Sequence, residues 1–208
     1  MKGKLLVATR NQGKAREIRA ILGDLPYDLV FLHETGIAES GAEVSLELAE
    51  TFDGNARHKA EYFARQSGLP TVADDSGLEV LALGGLPGVR SRRFALVDGP
   101  PEVQDQANNR ELLSRLGGLP AERRRARYRC VVAFLPRPDA PSHSFEGTCT
   151  GRILEEPRGT GGFGYDPLFF SDDLKMSFGE AAPEAKHEVS HRGRAFRAFA
   201  EWLRAQDP

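Results

Sequence analysis

The sequence predicts one mixed α/β domain with two lobes around a central cleft. Short apolar runs, typical of buried strands, alternate along the chain with segments whose apolar residues recur at helical spacing. A length of 208 residues fits a single α/β domain or two lobes that share a core. No internal repeat or low-complexity linker interrupts the chain. We therefore treat residues 1–208 as one domain without a separate linker.

The N-terminal quarter predicts a strand, a loop and a helix in succession. The apolar run Lys4–Ala8 favours a buried strand, and the polar Thr9–Lys14 favours a loop. Ala15–Leu22 places its apolar residues on one helical face, and Gly23 ends that helix. Asp28–Leu32 predicts a second strand.

The middle of the chain is acidic and then becomes regular. Residues 33–50 are rich in glutamate and predict irregular structure. Asn55–Arg65 has alanines and a phenylalanine at helical spacing, which predicts a helix. Thr71–Ala73 predicts a strand that enters a turn at Asp74–Gly77, and further apolar residues follow from Leu78.

The second half predicts two helices, two strands and one loop. Pro101–Leu116 favours a helix with proline in its first turn and glycines at its end. Arg127–Leu135 and Ser144–Leu154 predict strands that are antiparallel neighbours. Arg158–Asp166 is a glycine-rich loop, and Ala195–Leu203 predicts a C-terminal helix.

Composition excludes several classes of protein. Apolar residues make up 40% and charged residues 28%, and 28 basic against 30 acidic residues leave a net charge of −2. The net charge therefore does not attract the chain to nucleic acid or to an anionic membrane. No apolar run approaches the ~20 residues that span a bilayer. Cys130 and Cys149 lie in apolar or strand-like runs, which indicates buried thiols in a reducing cytoplasm.

One basic run, Arg123–Arg129, has an aromatic residue at Tyr128 and suggests a nucleic-acid patch. The run leads directly into a predicted strand, and alternation places Arg127 and Arg129 on the same face. A solvated strand edge is therefore the favoured interpretation.

Two segments have the residues that phosphate and metal chemistry require. Thr9–Lys14 precedes a helix N-terminus, which suits phosphate, although a simple helix cap is the alternative. The adjacent Asp74 and Asp75 repel each other unless a cation intervenes, and Mg²⁺ favours one or two carboxylates plus phosphate oxygens. The alternative there is an Asx turn with both carboxylates in solvent. Glu47 or Glu50 offers a further metal oxygen, unless both are merely solvated.

Two C-terminal segments suit binding of a planar ring. In the loop ending at Asp166, glycines permit close approach, and Phe163 and Tyr165 offer aromatic faces. The alternative is an ordinary turn with Phe163 in the core. Further along, Lys186 and the segment Ser190–Arg192 offer hydrogen-bond donors, unless they form only a capped helix start.

In chain order these motifs resemble one family, the inosine/xanthosine triphosphate pyrophosphatases (dITP/XTP pyrophosphatases, Ham1-like). The matching blocks span positions 7 to 196, and ADDSGL, GGFGYDP and SHRG are together highly specific. The full set is VATRNQGKAREI, TFDGNARHKAEYF, ADDSGLEVLALGGLPGVRSRRFA, GTGGFGYDPLFF and SHRGRAF.

The resemblance implies an elongated mixed α/β structure, with flanking helices and two lobes around a central substrate cleft. It implies hydrolysis of ITP, dITP and XTP to the nucleoside monophosphate and pyrophosphate, which cleanses the nucleotide pool. It also implies a Mg²⁺-dependent homodimer. A Maf-like nucleotide pyrophosphatase of other specificity, and a catalytically silent nucleotide- or RNA-binding module, are the alternatives.

By resemblance, Asp75 is the general base, and Glu47 and Asp75 are the Mg²⁺ ligands. The family's EETG is replaced here by Glu47-Leu48-Ala49-Glu50, so Glu50 is an alternative ligand. The first loop and Lys59 hold the triphosphate, Phe163–Asp166 bind the base, and three C-terminal residues contact its oxo groups. The implied substrate-binding residues are Thr9, Arg10, Asn11, Gln12, Gly13, Lys14, Lys59, Ser76, Phe163, Gly164, Tyr165, Asp166, Lys186, His191 and Arg192.

Overall fold

A computed structural model describes residues 2–23 and 25–206, and it confirms the α/β class. The helices are α1 (Gln12–Ile21), α2 (Phe52–Ser67), α3 (Pro101–Arg115), α4 (Pro183–Val189) and α5 (His191–Gln206). The strands are β1 (Gly3–Val7), β2 (Tyr27–Phe31), β3 (Thr71–Val80), β4 (Arg125–Leu135), β5 (His143–Ile153) and β6 (Phe169–Ser171).

The strands form one six-stranded sheet in the order β2-β1-β3-β4-β5-β6. Strand β1 pairs in parallel with both β2 and β3, whereas β5 and β6 are antiparallel. The sheet is therefore mixed, as predicted. Strands β4 and β5 are neighbours, as expected, and their antiparallel direction stays a prediction.

The chain divides into two compact units. Unit 1 comprises Met1–Asp75, Cys130–Gly147 and Arg192–Pro208. Its apolar core contains side chains from β1, β2, β4 and the inward faces of α1 and α5. In α5 the core residues Phe196, Phe199 and Leu203 recur at three- and four-residue spacing, which is the amphipathic pattern found in the sequence.

Unit 2 comprises Ser76–Arg129 and Thr148–His191 and has its own apolar core. Leu112 and Leu116 bring α3 into that core, and Tyr128, Phe169 and Phe178 form an aromatic cluster within it.

Two predicted boundaries are wrong. Helix α1 begins at Gln12, so Gln12–Lys14 form its first turn and do not belong to a loop. Strand β3 continues through Asp74–Gly77 without the expected turn. Asp74 and Asp75 are buried, with 2% and 7% exposure. Their carboxylates pair with lysines, so they do not need the backbone hydrogen bonds or the solvent contact of an Asx turn.

The basic run at Arg123–Arg129 leads into a strand, as predicted, but that strand, β4, lies between β3 and β5, so the interpretation as a strand edge is wrong. Arg125 and Arg127 of β4 are exposed and pair with Asp172 and Glu79. Arg124 is buried instead, because its guanidinium donates to the carbonyls of Leu116, Ile153 and Leu154. Within residues 2–23 and 25–206, no helix is both long and apolar enough to cross a membrane.

Candidate active site

The N-terminus of α1 carries the first group of predicted site residues. Asn11 is the N-cap, and its Oδ1 accepts a hydrogen bond from the backbone N–H of Lys14 at 2.9 Å. The backbone N–H of Asn11 donates to Thr9 Oγ1 at 3.2 Å. Gln12 and Gly13 complete the first turn, whose backbone N–H groups and dipole favour an anion.

Arg10 precedes this helix and contacts an acidic residue of unit 1. Its guanidinium donates to both carboxylate oxygens of Glu43, at 2.8 and 3.1 Å, and to the carbonyl of Ile37. The hydrogen bond to Glu43 raises the pKa of Arg10. A phosphate-binding role for Arg10 stays a prediction, and any such role must share the guanidinium with Glu43.

Asp74 is the centre of a buried ionic group. Lys14 Nζ lies 2.9 Å and Arg192 Nε lies 3.5 Å from the same oxygen of Asp74, Oδ2. Arg192 also pairs with Glu17 of α1 at 2.5 Å. Burial alone would raise the pKa of Asp74, but the positive charges of Lys14 and Arg192 outweigh it and hold that pKa well below its ordinary value.

Asp75 contacts different side chains from Asp74, because successive side chains of a strand point to opposite faces of the sheet. Asn55 Nδ2 donates to Asp75 Oδ2 at 3.0 Å, and Lys59 Nζ donates to Asp75 Oδ1 at 3.0 Å. Asn55 and Lys59 are four residues apart in α2, so both lie on one face of that helix. Asp75 is therefore fixed through both of its oxygens.

Lys59 joins Asp75 to a second carboxylate. Its Nζ also lies 3.0 Å from Glu47 Oε1, so two carboxylate oxygens converge on one cation. Burial would lower the pKa of Lys59, but the charges of Asp75 and Glu47 outweigh it, and the pKa lies above its ordinary value. Lys59 is therefore buried between two carboxylates and does not lie on a solvated helix face. Glu50, the alternative metal ligand, is exposed.

The glycine-rich loop of unit 2 is organised by Asp166. Its Oδ2 accepts hydrogen bonds from the backbone N–H of Phe163 at 2.9 Å and from Lys186 Nζ at 2.5 Å. Gly162 has a φ of +72°, and a Cβ there would lie 2.1 Å from Asp166 Oδ2. Glycine is thus required at position 162 to admit the carboxylate.

The two aromatic rings of this loop differ in their surroundings. Tyr165 is buried in the core of unit 2, and its hydroxyl donates to the carbonyl of Ser91 at 2.8 Å. Phe163 is only partly buried, and its ring centre lies 5.2 Å from Lys186 Nζ. The alternative that buries Phe163 in the core is therefore wrong, and its role in stacking a planar base stays a prediction.

His191, at the start of α5, is buried and tightly packed. Its ring stacks on Tyr128 with centres 4.5 Å apart and planes 7° from parallel. Its Nδ1 lies 4.0 Å from Cys149 Sγ. The ring orientation is therefore fixed by unit 2 itself.

The structure brings the predicted residues together in two groups. Lys14, Lys59, Asp75, Glu47 and Arg192 lie in unit 1, joined by the contacts to Asp74 and Asp75. The loop residues, Lys186 and His191 lie in unit 2, as does Ser76, the partly buried residue after Asp75.

Sequence reasoning missed Asn55 and Glu17, which orient Asp75 and Arg192. The four-residue spacing between Asn55 and Lys59 was the available signal, since it places an amide beside a lysine on one helix face. No group of three or more His, Cys, Asp or Glu side chains in the described part of the chain is arranged to hold a metal ion by itself.

Comparison with known proteins gives one consistent family. A model of the Ham1 family matches residues 5–202. A dITP/XTP pyrophosphatase from Geobacter sulfurreducens is 47% identical over 200 residues, covering 96% of each chain. One from Desulforamulus reducens is 45% identical over 204 residues, covering 96% of this chain and 95% of that protein. The solved structure of a HAM1 protein from Coxiella burnetii matches with a TM-score of 0.84 at 32% identity, covering 98% of this chain and 99% of its own.

Proposed function

The chain belongs to the Ham1 family, and we propose that its two groups of site residues serve one reaction, the hydrolysis of a nucleoside triphosphate to a monophosphate and pyrophosphate. It is a nucleoside triphosphate pyrophosphatase that acts on deaminated purine nucleotides, namely ITP, dITP and XTP. The observation that carries this function is the pair of carboxylates, Glu47 and Asp75, that converge on Lys59 beside a phosphate-suited helix N-terminus.

Asp75 is suited to direct the attacking water. Asn55 and Lys59 hold one hydrogen bond on each carboxylate oxygen, which fixes the plane of the carboxylate. An ionised carboxylate has about four acceptor sites, so oxygens of Asp75 can still accept a hydrogen bond from water. We propose that Asp75 orients or deprotonates the water that attacks the α-phosphorus, after which pyrophosphate leaves.

Lys14 and Lys59 are suited to stabilise the leaving pyrophosphate. An ammonium group carries three N–H donors, and in Lys59 the contacts to Glu47 and Asp75 use two of them. The third donor is available for a phosphate oxygen. Lys14 lies in the first turn of α1, where its charge adds to the positive end of the helix dipole.

The two carboxylates that contact Lys59, those of Glu47 and Asp75, fit Mg²⁺. Two carboxylate oxygens within 3.0 Å of the same cation are the hard oxygen ligands that Mg²⁺ takes, and its remaining positions are usually filled by water and substrate phosphate. We propose that Glu47 and Asp75 hold the ion. When bound, it would supply positive charge at the phosphate oxygens.

We propose that unit 2 selects the base. Phe163 offers a partly exposed ring for stacking, and His191 offers a donor in a fixed orientation to an oxo group at C6 of the purine. Adenine has an amino group at C6, which would face a donor without a partner, at a cost of roughly 1–3 kcal/mol. Lys186 and Arg192 are paired with Asp166 and with Glu17, so their contacts to the base stay predictions.

We also propose a homodimer that works in the cytoplasm. Leu81, Leu96 and Val103 of unit 2 are large apolar side chains with exposures of 66%, 84% and 44%, which supports coverage by a second copy. Cys130 and Cys149 are buried free thiols, which supports a reducing compartment. Light scattering of the purified protein tests the dimer, and a monomer would contradict it.

One assay tests the proposed function. Pyrophosphate release is measured from ITP, XTP, dITP, GTP, ATP and UTP, with Mg²⁺ and with EDTA. We expect release only from ITP, XTP and dITP, and only with Mg²⁺. Release mainly from UTP or GTP would indicate a nucleotide pyrophosphatase of other specificity, and no release at all would indicate a binding module.

A further inference from the structure

We propose that Asp105 and Asn109 of α3 hold the backbone of Gly164 as a clamp that positions the base-binding loop. This assignment rests on the proposed function, because it concerns the loop that would bind the purine. The two side chains are positioning residues, since they act through Gly164 and not on the substrate itself. The pair is called the Gly164 clamp below.

The clamp contacts both polar groups of one residue. The backbone N–H of Gly164 donates to Asp105 Oδ2 at 2.7 Å, and Asn109 Nδ2 donates to the carbonyl of Gly164 at 3.0 Å. Asp105 and Asn109 are four residues apart in α3, so one helix face presents an acceptor and a donor together. Gly164 has a φ of +62°, a left-handed conformation that glycine adopts readily.

Gly164 lies between the two aromatic residues of the loop. It stands between Phe163, whose partly exposed ring we assign to base stacking, and Tyr165, which is anchored in the core. The hydroxyl of Tyr165 donates to Ser91, so the loop is fixed on that side. The clamp fixes the other side of the turn, and with it the backbone that carries the Phe163 ring.

Helix α3, which carries the clamp, is itself fixed by hydrogen bonds and by packing. Asn108 is buried, its Oδ1 accepts a hydrogen bond from the N–H of Ala95 at 2.8 Å, and its Nδ2 donates to the carbonyl of Arg92 at 2.9 Å. Leu112 and Leu116 pack the next turns into the core of unit 2. Movement of the clamp would therefore require movement of the whole helix.

The two side chains of the clamp are partly buried, and this burial carries a cost that supports a dedicated role. Asn109 Oδ1 is buried without a hydrogen-bond partner among residues 2–23 and 25–206. Burial also raises the pKa of Asp105, although the hydrogen bond from Gly164 opposes this. An apolar pair on α3 would avoid both costs but would leave the Gly164 peptide unsupported.

The direction of the two hydrogen bonds permits a sharp test with matched isosteric variants. In Asp105→Asn an amide oxygen can still accept from the Gly164 N–H, so base binding should be retained. In Asn109→Asp a carboxylate oxygen faces the Gly164 carbonyl and cannot donate, so the clamp should open. Asp105→Ala and Asn109→Ala remove each contact outright, and Gln106→Ala at an exposed position of the same helix is the control.

Steady-state hydrolysis of ITP and GTP is measured for each variant, together with the melting temperature. For Asn109→Asp, Asn109→Ala and Asp105→Ala we expect KM for ITP to rise about tenfold, with kcat within about twofold of the wild type. We expect the preference for ITP over GTP to fall about as much. Asp105→Asn and Gln106→Ala should match the wild type in KM and in selectivity.

Unchanged KM and selectivity in Asn109→Asp or Asn109→Ala would overturn the clamp. So would an equal loss of kcat and kcat/KM that follows the melting temperature, because that is the behaviour of a merely structural residue. If Asn109→Asp does not fold, Asn109→Ala and Asp105→Ala decide the matter. Absence of turnover in the wild type would overturn the proposed function together with the clamp, whereas failure of the clamp alone leaves wild-type turnover intact.

Discussion

Replacement of the buried Asp74 by asparagine should destabilise the protein strongly. Asp74 Oδ2 forms ion pairs with Lys14 Nζ at 2.9 Å and with Arg192 Nε at 3.5 Å, and the side chain of Asp74 is 1% exposed. Asp74→Asn preserves the shape of the side chain but removes the negative charge. The buried Arg192 and the partly buried Lys14 then lose their common partner.

The size of the effect follows from these distances. At an effective dielectric constant of about 20, the two attractions are worth about 6 and about 5 kcal/mol before desolvation. Desolvation of the charges offsets most of that sum, and breaking a buried pair by removing one partner costs about 3–5 kcal/mol. Arg192 keeps its contact with Glu17, so we expect the lower end of that range, a loss of about 3 kcal/mol.

Urea unfolding monitored by circular dichroism at neutral pH measures this loss. A change of about 3 kcal/mol also predicts a melting temperature lower by about 6–12 °C for a chain of this size. The matched control is Asp139→Asn, which makes the same chemical change in an ion pair with Arg65 whose aspartate is 78% exposed. That variant should stay within about 1 kcal/mol of the wild type. An Asp74→Asn variant as stable as the control would refute the argument.

Three further predictions concern single residues. Asp75→Asn should lower kcat for ITP by about 100-fold or more with a smaller change in KM, measured as pyrophosphate release; near-normal kcat would exclude Asp75 as the base. His191→Ala should reduce the preference for ITP over ATP by about tenfold, and an unchanged preference in competition assays would exclude His191 from contact with the C6 oxo group. Burial raises the pKa of Asp105, so ionisation of Asp105 removes stability as the pH rises through that raised pKa. Asp105→Asn should therefore melt at a higher temperature than the wild type at about pH 8 and at the same temperature below about pH 4, and equal melting curves at both pH values would contradict this.

The sequence predicts the regular elements of this fold well where apolar periodicity is strong. The helix that begins at Pro101 and the strand that contains Cys130 fall close to their observed bounds, whereas the C-terminal helix is present but longer at both ends than the predicted Ala195–Leu203. Helix α4 and strand β6 span seven and three residues, so they are too short for periodicity to be recognised. Local composition therefore predicts long elements and misses short ones.

Residues whose roles depend on distant partners were the hardest to predict. Lys59 and Asp74 are ordinary charged residues by composition, yet both are buried because carboxylates and lysines from other elements meet them. Arg124 belongs to a basic run, but its guanidinium is buried because it donates hydrogen bonds to three backbone carbonyls from other segments of the chain. No local pattern contains those partners, since they become neighbours only when the chain folds.

The charge balance of the ionic group in unit 1 predicts how a chain of net charge −2 acts on a polyanion. The contacts in unit 1 join three cations to four carboxylates, so among the residues that the structure describes this group has one net negative charge. Its members are Lys14, Lys59, Arg192, Glu17, Glu47, Asp74 and Asp75. Such a group repels a triphosphate unless a further cation enters, whereas addition of Mg²⁺ makes it net positive. We therefore expect removal of Mg²⁺ to weaken nucleotide binding as well as turnover, and titration calorimetry with a nonhydrolysable ITP analogue measures the binding directly. Equal affinity with and without Mg²⁺ would mean that the lysines suffice for binding, and that the carboxylates serve only the chemical step.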